Sequence, residues 1–240
     1  MAVIIPAILP RSKEDLIQKL DALQGRVSDV QIDIVDGKFA GPASWPCVPG
    51  TEDATLFVAR HELLPHAGSL TIEVDLMVEE PEKTVGMWVA LGARRITIHA
   101  ESVIDLPRLL RSLQRTYGHD KGFAPELLSI GLALNIDSEL ARIEPHLSMV
   151  DYVQFMGIDS IGKQGQPFDE RVLRKIAIFR KRHTDIPLQV DGGVSLATAP
   201  KLLAAGVSRL VAGSSIWKSP DIGKEIEAYN SILESYGRYT

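Results

Sequence analysis

The 240-residue sequence predicts an α/β protein, a single (β/α)8 TIM barrel taking in residues 1–240. Three observations carry that prediction. Eight short apolar or alternating segments each give way to a helical pattern, with no low-complexity linker and no break in composition. The stretch from Ile186 to Trp217 holds strand, helix and strand in close succession, a βαβ unit whose strands must be parallel neighbours. The Gly-x-Gly-x-x-Gly turn that an open doubly wound sheet places after its first strand is absent.

Val3 to Leu9 is an apolar run closed by Pro10, and Ser12-Lys-Glu-Asp15 supplies a Ser cap with acidic residues in the first turn of a helix through Leu23. Val30 to Gly37 is the second strand. Its two-residue period sets Gln31, Asp33 and Val35 on one face and Ile32 and Ile34 on the other. Lys38 to Gly50, broken by Gly41, Pro42, Pro46 and Pro49, reads as a long irregular loop, and Glu52 to His66 as a helix. In the third strand, Leu70 to Val78, the residues Glu73, Asp75 and Met77 share a face, and Pro81 opens a helix to about Leu91. Arg95 to Glu101 is the fourth strand, with Thr97 and His99 on one face; Leu106 to Tyr117 is its helix, and Gly118 to Pro125 a polar turn. Leu128 to Asn135 is the fifth strand, and Asp137-Ser-Glu139 starts the following helix. Asp151 to Gly157 is the sixth, followed by a Gly/Gln/Ser-rich loop, Ile158 to Pro167, that carries Lys163, and by a helix from Asp169 to His183. Strands seven and eight stop at Asp191-Gly192-Gly193 and Gly213-Ser214-Ser215, with a helical pattern from Ser195 to Gly206 between them; Ile222 to Tyr236 is a terminal helix. Trp45, Trp88 and Trp217 read as packing residues.

A net charge of −5, from 26 basic and 31 acidic residues without basic clusters, gives no electrostatic reason for a nucleic acid or an anionic membrane as partner. The one cysteine, Cys47, excludes an internal disulfide and a Cys-based metal site and fits a reducing cytoplasm. Met1 to Pro10 is apolar but too short to span a bilayer, and it lacks the basic start and cleavage site of a signal peptide.

At the two polar tips, glycines let backbone N–H groups approach a ligand, so Gly213-Ser214-Ser215 is a candidate phosphate cradle, with Asp191 beside it as a candidate base; the competing reading is turn chemistry alone. All strands of such a barrel end on one face, which brings Gln31, Asp33, Glu73, Asp75, His99 and Asp191 to one mouth. Buried carboxylates are costly unless paired or bound to a cation. These acids therefore hold a metal, take protons, or in part point outward into solvent; for Glu73 a structural role competes with any other. Asp33 and Asp191, on nearly opposite strands, suit a two-base epimerisation, in which one carboxylate removes the proton α to a carbonyl and the other returns one on the opposite face. The intervening enediolate needs a metal or hydrogen-bond donors.

Val30 to Gly37 with Phe39, Val74-Asp-Leu-Met-Val78 with Pro81, Ile98-His-Ala-Glu101, Gly131-Leu-Ala-Leu-Asn135, Met156 with Gln166 and Phe168, Val190-Asp-Gly-Gly193 and Val211-Ala-Gly-Ser-Ser215 together resemble the ribulose-phosphate 3-epimerase family over nearly the whole chain. The resemblance implies a barrel of the ribulose-phosphate-binding type, interconversion of ribulose 5-phosphate and xylulose 5-phosphate, and acid/base roles for Asp33 and Asp191. It further implies phosphate contacts from Gly192, Gly193, Gly213 and Ser214, sugar contacts from Met77 and Met156, and a homo-oligomer. Where the family has two metal-binding His, this chain has Gln31 and Asp75; the substrate-contacting Ser falls on Ala7, and the Met after the first Asp on Val35. The family's Gly-Phe-Gly-Gly loop is replaced by Ser160-Ile-Gly-Lys-Gln-Gly165, where Lys163 adds charge. The remaining set, Gln31, Asp33, Asp75 and Asp191, offers only oxygen and suits Mg2+ or Mn2+ better than Zn2+, if a cation is bound at all. A diverged epimerase with changed or lost metal dependence is the expectation. A catalytically decayed phosphosugar-binding relative, and a lyase or decarboxylase of the phosphate-binding barrels, stand as alternatives; the latter carry an Asp-x-Lys-x-x-Asp run that Glu73-Val-Asp75 does not match.

Overall fold

In a computed structural model, which describes residues 2–51, 54–117 and 128–237, eight parallel strands close into a barrel in sequence order. They are β1 (Val3–Ile8), β2 (Asp29–Val35), β3 (Thr71–Met77), β4 (Arg95–His99), β5 (Ser129–Leu134), β6 (Tyr152–Met156), β7 (Leu188–Asp191) and β8 (Arg209–Ala212). Closure is made by β8, whose Arg209 to Ala212 pair with Val3 to Pro6 of β1.

Alternation along each strand divides the interior in two. Residues facing outward, such as Ile32, Ile34, Val74, Leu76, Ile96 and Ile98, pack beneath the helices in one apolar cluster. The helix α1 (Lys13–Leu23) contributes Leu16, Leu20 and Leu23, each stabilising the fold by roughly 1.5–3 kcal/mol on burial. It starts at Ser12, whose hydroxyl accepts from the Asp15 N–H at 3.2 Å, satisfying one of the donors a helix start leaves open. Trp45 and Trp88 are fully buried in the same layer, edge to face at 6.5 Å.

The lumen is different. Its apolar part is small, Ile5, Ala7 and Val211 with Val3 against them. Gln31, Glu73, Thr97, Gln154 and Gln189 share the rest with Tyr152, whose hydroxyl lies 2.7 Å from that of Thr97, and these five polar residues are completely buried. Glu73 therefore takes the structural role. It accepts from Arg95 at 3.0 Å, Thr97 at 2.8 Å, Gln189 at 2.5 Å and Arg209 at 3.2 Å. Burial alone would push its carboxyl up, but Arg95, Arg209 and these donors hold it below its ordinary value. It stands level with Gln31, one layer beneath the mouth where the alternation alone had placed it.

Two expected helices are shorter than their patterns. Of the helix expected from Glu52 to His66, only α2 (Thr55–Ala59) is α-helical among the described residues, because His61 and His66 take left-handed backbone (φ 56° and 63°), which an α-helix of L-residues excludes; Glu52 and Asp53 lie outside the described residues, as does the turn from Gly118 to Pro125. After β5 the chain forms two 3-10 segments, Leu140–Arg142 and Glu144–Met149, instead of an α-helix. Pro145 has no N–H to donate to an i−4 carbonyl and occupies the start of the second segment. The other covering helices are α3 (Val85–Ala90), α4 (Leu106–Tyr117), α5 (Arg171–Arg180), α6 (Ala199–Ala204), α7 (Ser214–Trp217) and α8 (Ile222–Gly237). No described helix is long and apolar enough to cross a membrane.

Candidate active site

Asp33 and Asp75 are register partners on β2 and β3, and Asp191 ends β7, three strands away round the ring. The three side chains lean over the lumen together: one oxygen from each lies within 4.8 Å of the others. Asp33 is 5 % exposed, Asp75 0 % and Asp191 9 %, so the cluster opens to the cavity above it along Asp33 and Asp191. Burial and the neighbouring charges of Asp191 and Asp75 push the Asp33 carboxyl well above its usual range. Burial and Asp75 push Asp191 up to about 7, against a hydrogen bond from Gln31 that pulls it down.

Amides support these acids from below. Gln31 Nε2 donates to Asp33 Oδ1 at 2.9 Å and to Asp191 Oδ2 at 3.1 Å, and Gln154 Nε2 donates to Asp75 Oδ2 at 2.8 Å. Gln31 thus turns nitrogen, not oxygen, toward the carboxylates, because its oxygen is taken by Gln189 at 3.0 Å; the expected fourth oxygen ligand faces away. His99 is fully buried, and its Nε2 lies 3.2 Å from Asp75 Oδ1 without hydrogen-bond geometry, so both atoms lack a hydrogen-bond partner. Burial, which lowers the His99 pKa, is outweighed by Asp75 beside it. Phe39 tilts against the imidazole at 5.6 Å.

This cluster fits a divalent cation. It is short of positive charge, it presents an orphaned buried oxygen in Asp75 Oδ1, and its three ligands are hard oxygens of the kind Mg2+ and Mn2+ take. Asp33, Asp75 and Asp191 are the residues able to hold the ion.

A cavity of about 40 Å3 opens above the acids, lined among others by Asp33, Asp191, Met77, Met156, Gly193 and Ser214. Gly192 and Gly193 have φ of +95° and +69°, and a Cβ on Gly193 would stand 2.6 Å from the backbone of Phe168; only glycine lets this turn close over the loop after β6. Gln164 from that loop donates to the Ala7 carbonyl at 3.2 Å and lies where a Cβ on Gly213 would stand. Helix α7 has only four residues, so the tip before it offers a few free N–H groups more than a long summed dipole. Lys163 and Gly162 belong to the same wall. Lys218, unnoticed in the sequence, brings its ammonium against Gly165, where a Cβ would stand 2.9 Å away. Gln154 and Gln189 were also missed, although a period of two places them on the faces of Met156 and Asp191.

The family model described as Ribulose-phosphate 3 epimerase family matches residues 3–217. Among curated proteins, the chain is 30% identical over 230 residues to the chloroplastic ribulose-5-phosphate-3-epimerase of Arabidopsis thaliana, covering 94% of this chain and 75% of that one. It is 29% identical over 232 residues to the ribulose-phosphate 3-epimerase of Bacillus subtilis, covering 94% and 97%. Among solved structures, 3-hexulose-6-phosphate synthase from Salmonella typhimurium superposes with a TM-score of 0.68 at 14% identity, covering 98% of this chain and 100% of that one. Orotidine 5'-monophosphate decarboxylase from Sulfolobus solfataricus does so with 0.61 at 13%, covering 98% and 99%; at these identities the likeness is one of fold.

Proposed function

The chain belongs to the ribulose-phosphate 3-epimerase family, and from that premise we propose that it inverts a ketose phosphate, ribulose 5-phosphate in the first instance, at the carbon beside its carbonyl. The single observation that carries the reading is the buried pair Asp33 and Asp191, held by one amide below a glycine-lined cavity. Burial and the charge of neighbouring carboxylates raise the proton affinity of both members, which favours their sharing one proton. The ionised member takes the α-proton from one face of the sugar, and the protonated member delivers one to the other face, so inversion returns the pair with its roles exchanged. Gly192, Gly193, Gly213 and Ser214 bind the phosphate through backbone N–H groups and a hydroxyl, with Lys163 and Lys218 supplying charge. Met77 and Met156 line the sugar. Asp33, Asp75 and Asp191 would hold a Mg2+ or Mn2+ ion, which would supply the positive charge that an enediolate oxygen requires.

The site differs from the family pattern in having no imidazole among these cation-holding residues and Ala7 in place of a hydroxyl, and that observation favours the second reading, a phosphosugar-binding relative without turnover. Coupled turnover of ribulose 5-phosphate, with and without added Mn2+, decides. We expect turnover in the wild type and its loss in Asp33→Asn and Asp191→Asn; a wild type that binds the sugar phosphate without converting it establishes the second reading. We further read the 240 residues as one domain, a homo-oligomer of the cytoplasm.

A further inference from the structure

The lumen amides are not free to choose which end faces up. Arg209 Nε donates to Gln189 Oε1 at 2.8 Å, and a guanidinium has no acceptor to offer in return. Gln189 therefore has its oxygen committed, and its Nε2 must donate. Its two N–H hydrogens are shared among three oxygens, Glu73 Oε1 at 2.5 Å, Gln154 Oε1 at 2.7 Å and Gln31 Oε1 at 3.0 Å. Glu73, ion-paired to Arg95 and Arg209 at 3.0 and 3.2 Å, is also an acceptor only. The direction of Gln189 is thus fixed from both of its ends. Gln31 and Gln154 then accept from below and can only donate above, to Asp33, Asp191 and Asp75.

We propose that Arg209 and Gln189 are positioning residues that set the sense of two neighbouring amides, so that Gln31 clasps Asp33 and Asp191 through N–H groups and does not ligate a cation. This deepens the epimerase reading and rests on it for its purpose, but the clasp itself is a matter of hydrogen-bond direction. The carboxyls alone do not settle the sense of Gln31, since a carboxyl oxygen accepts from the amide N–H while a carboxyl O–H donates to the amide oxygen; Gln189, bonded to the Gln31 oxygen, does. The amide holds the two acids at a fixed separation whichever of them carries the proton.

The test reads the amide directly. In 15N-labelled wild type, the side-chain N–H signals of Gln31 and Gln154 should be displaced downfield from free amides and exchange slowly with solvent. Gln189→Glu keeps the shape and the acceptor for Arg209 but has no donor for Gln31; Gln189→Met keeps the volume and loses both. In either variant, with the thermal transition still cooperative, the displaced and protected Gln31 signal should be lost, an effect that a space-filling role for Gln189 would not produce. Gln31→Leu should leave Mn2+ affinity equal or higher, since a donor competing for carboxylate charge is gone. Free-amide signals for Gln31 in the wild type, unchanged signals in both Gln189 variants, or a Mn2+ affinity lower on the order of tenfold in Gln31→Leu (~1.4 kcal/mol) would each overturn the proposal. Free-amide signals in the wild-type spectrum refute the clasp even if neither variant folds. Failure of ribulose 5-phosphate turnover would sink the epimerase reading and leave these signals as they are.

Discussion

Asp191→Asn should make the cation-free protein more stable at pH 8 and barely change it at pH 4. The carboxyl of Asp191 moves from an ordinary 3.8 to about 7 on folding. A pKa raised in the folded state means that the native protein keeps a proton that the unfolded chain has released. Stability from this group is complete below about pH 4, falls as pH rises, and is gone above about pH 7. At ~1.4 kcal/mol per pH unit, the interval amounts to ~4 kcal/mol. Asparagine carries no charge to bury, and its oxygen can still accept from Gln31, so the variant escapes most of that loss. Urea unfolding of chelator-treated wild type and variant at pH 4, 5, 6, 7 and 8 measures it. The wild-type curve should descend with pH while the variant's stays flatter, the gap reaching at least ~2 kcal/mol at pH 8. Adding Mn2+ to a hundredfold excess over its dissociation constant should restore ~2.7 kcal/mol to the wild type at pH 8, and less to the variant. Parallel curves for the two proteins would show that Asp191 is not a destabilised charge and that the electrostatic account of the cluster is wrong.

Gly193→Ala meets Phe168 backbone at 2.6 Å from a residue at φ +69°; we expect a loss of ~1–3 kcal/mol in thermal or urea unfolding with a raised KM. Glu73→Leu removes the anion shared by Arg95 and Arg209, and should cost ~3 kcal/mol in urea unfolding while leaving Asp33 and Asp191 in place. Lys218→Ala should raise KM for ribulose 5-phosphate about tenfold, ~1.4 kcal/mol, with kcat little changed; an unaltered KM would remove Lys218 from the phosphate wall.

The barrel was legible because eight period-two or apolar runs each end in a polar tip, and that regularity survives poor helices between them. Asp33, Asp75 and Asp191 could be placed on one mouth from strand phase alone. Phase says nothing of height, however, and Glu73, two residues below Asp75 on the same face, was drawn into the same group. The sense of Gln31 was beyond reach for a different reason: a carboxamide is donor and acceptor at once, and only Gln189 and Arg209, some 160 and 180 residues on, choose between its ends. The helix expected after β5 failed on Pro145, which a reading from the cap at Asp137 passes over; the α2 stretch failed on backbone at His61 and His66 that no side-chain pattern announces.

The contact of Gln164 with the Ala7 carbonyl bears on tempo. Under the epimerase reading a sugar phosphate enters past Gln164, and we expect the loop after β6 to move aside and settle again in each cycle. Movement of that kind works against solvent friction, whereas proton transfer between sheltered carboxylates does not. Turnover should therefore slow in sucrose or glycerol in step with viscosity, and shortening Gln164 should relieve that drag.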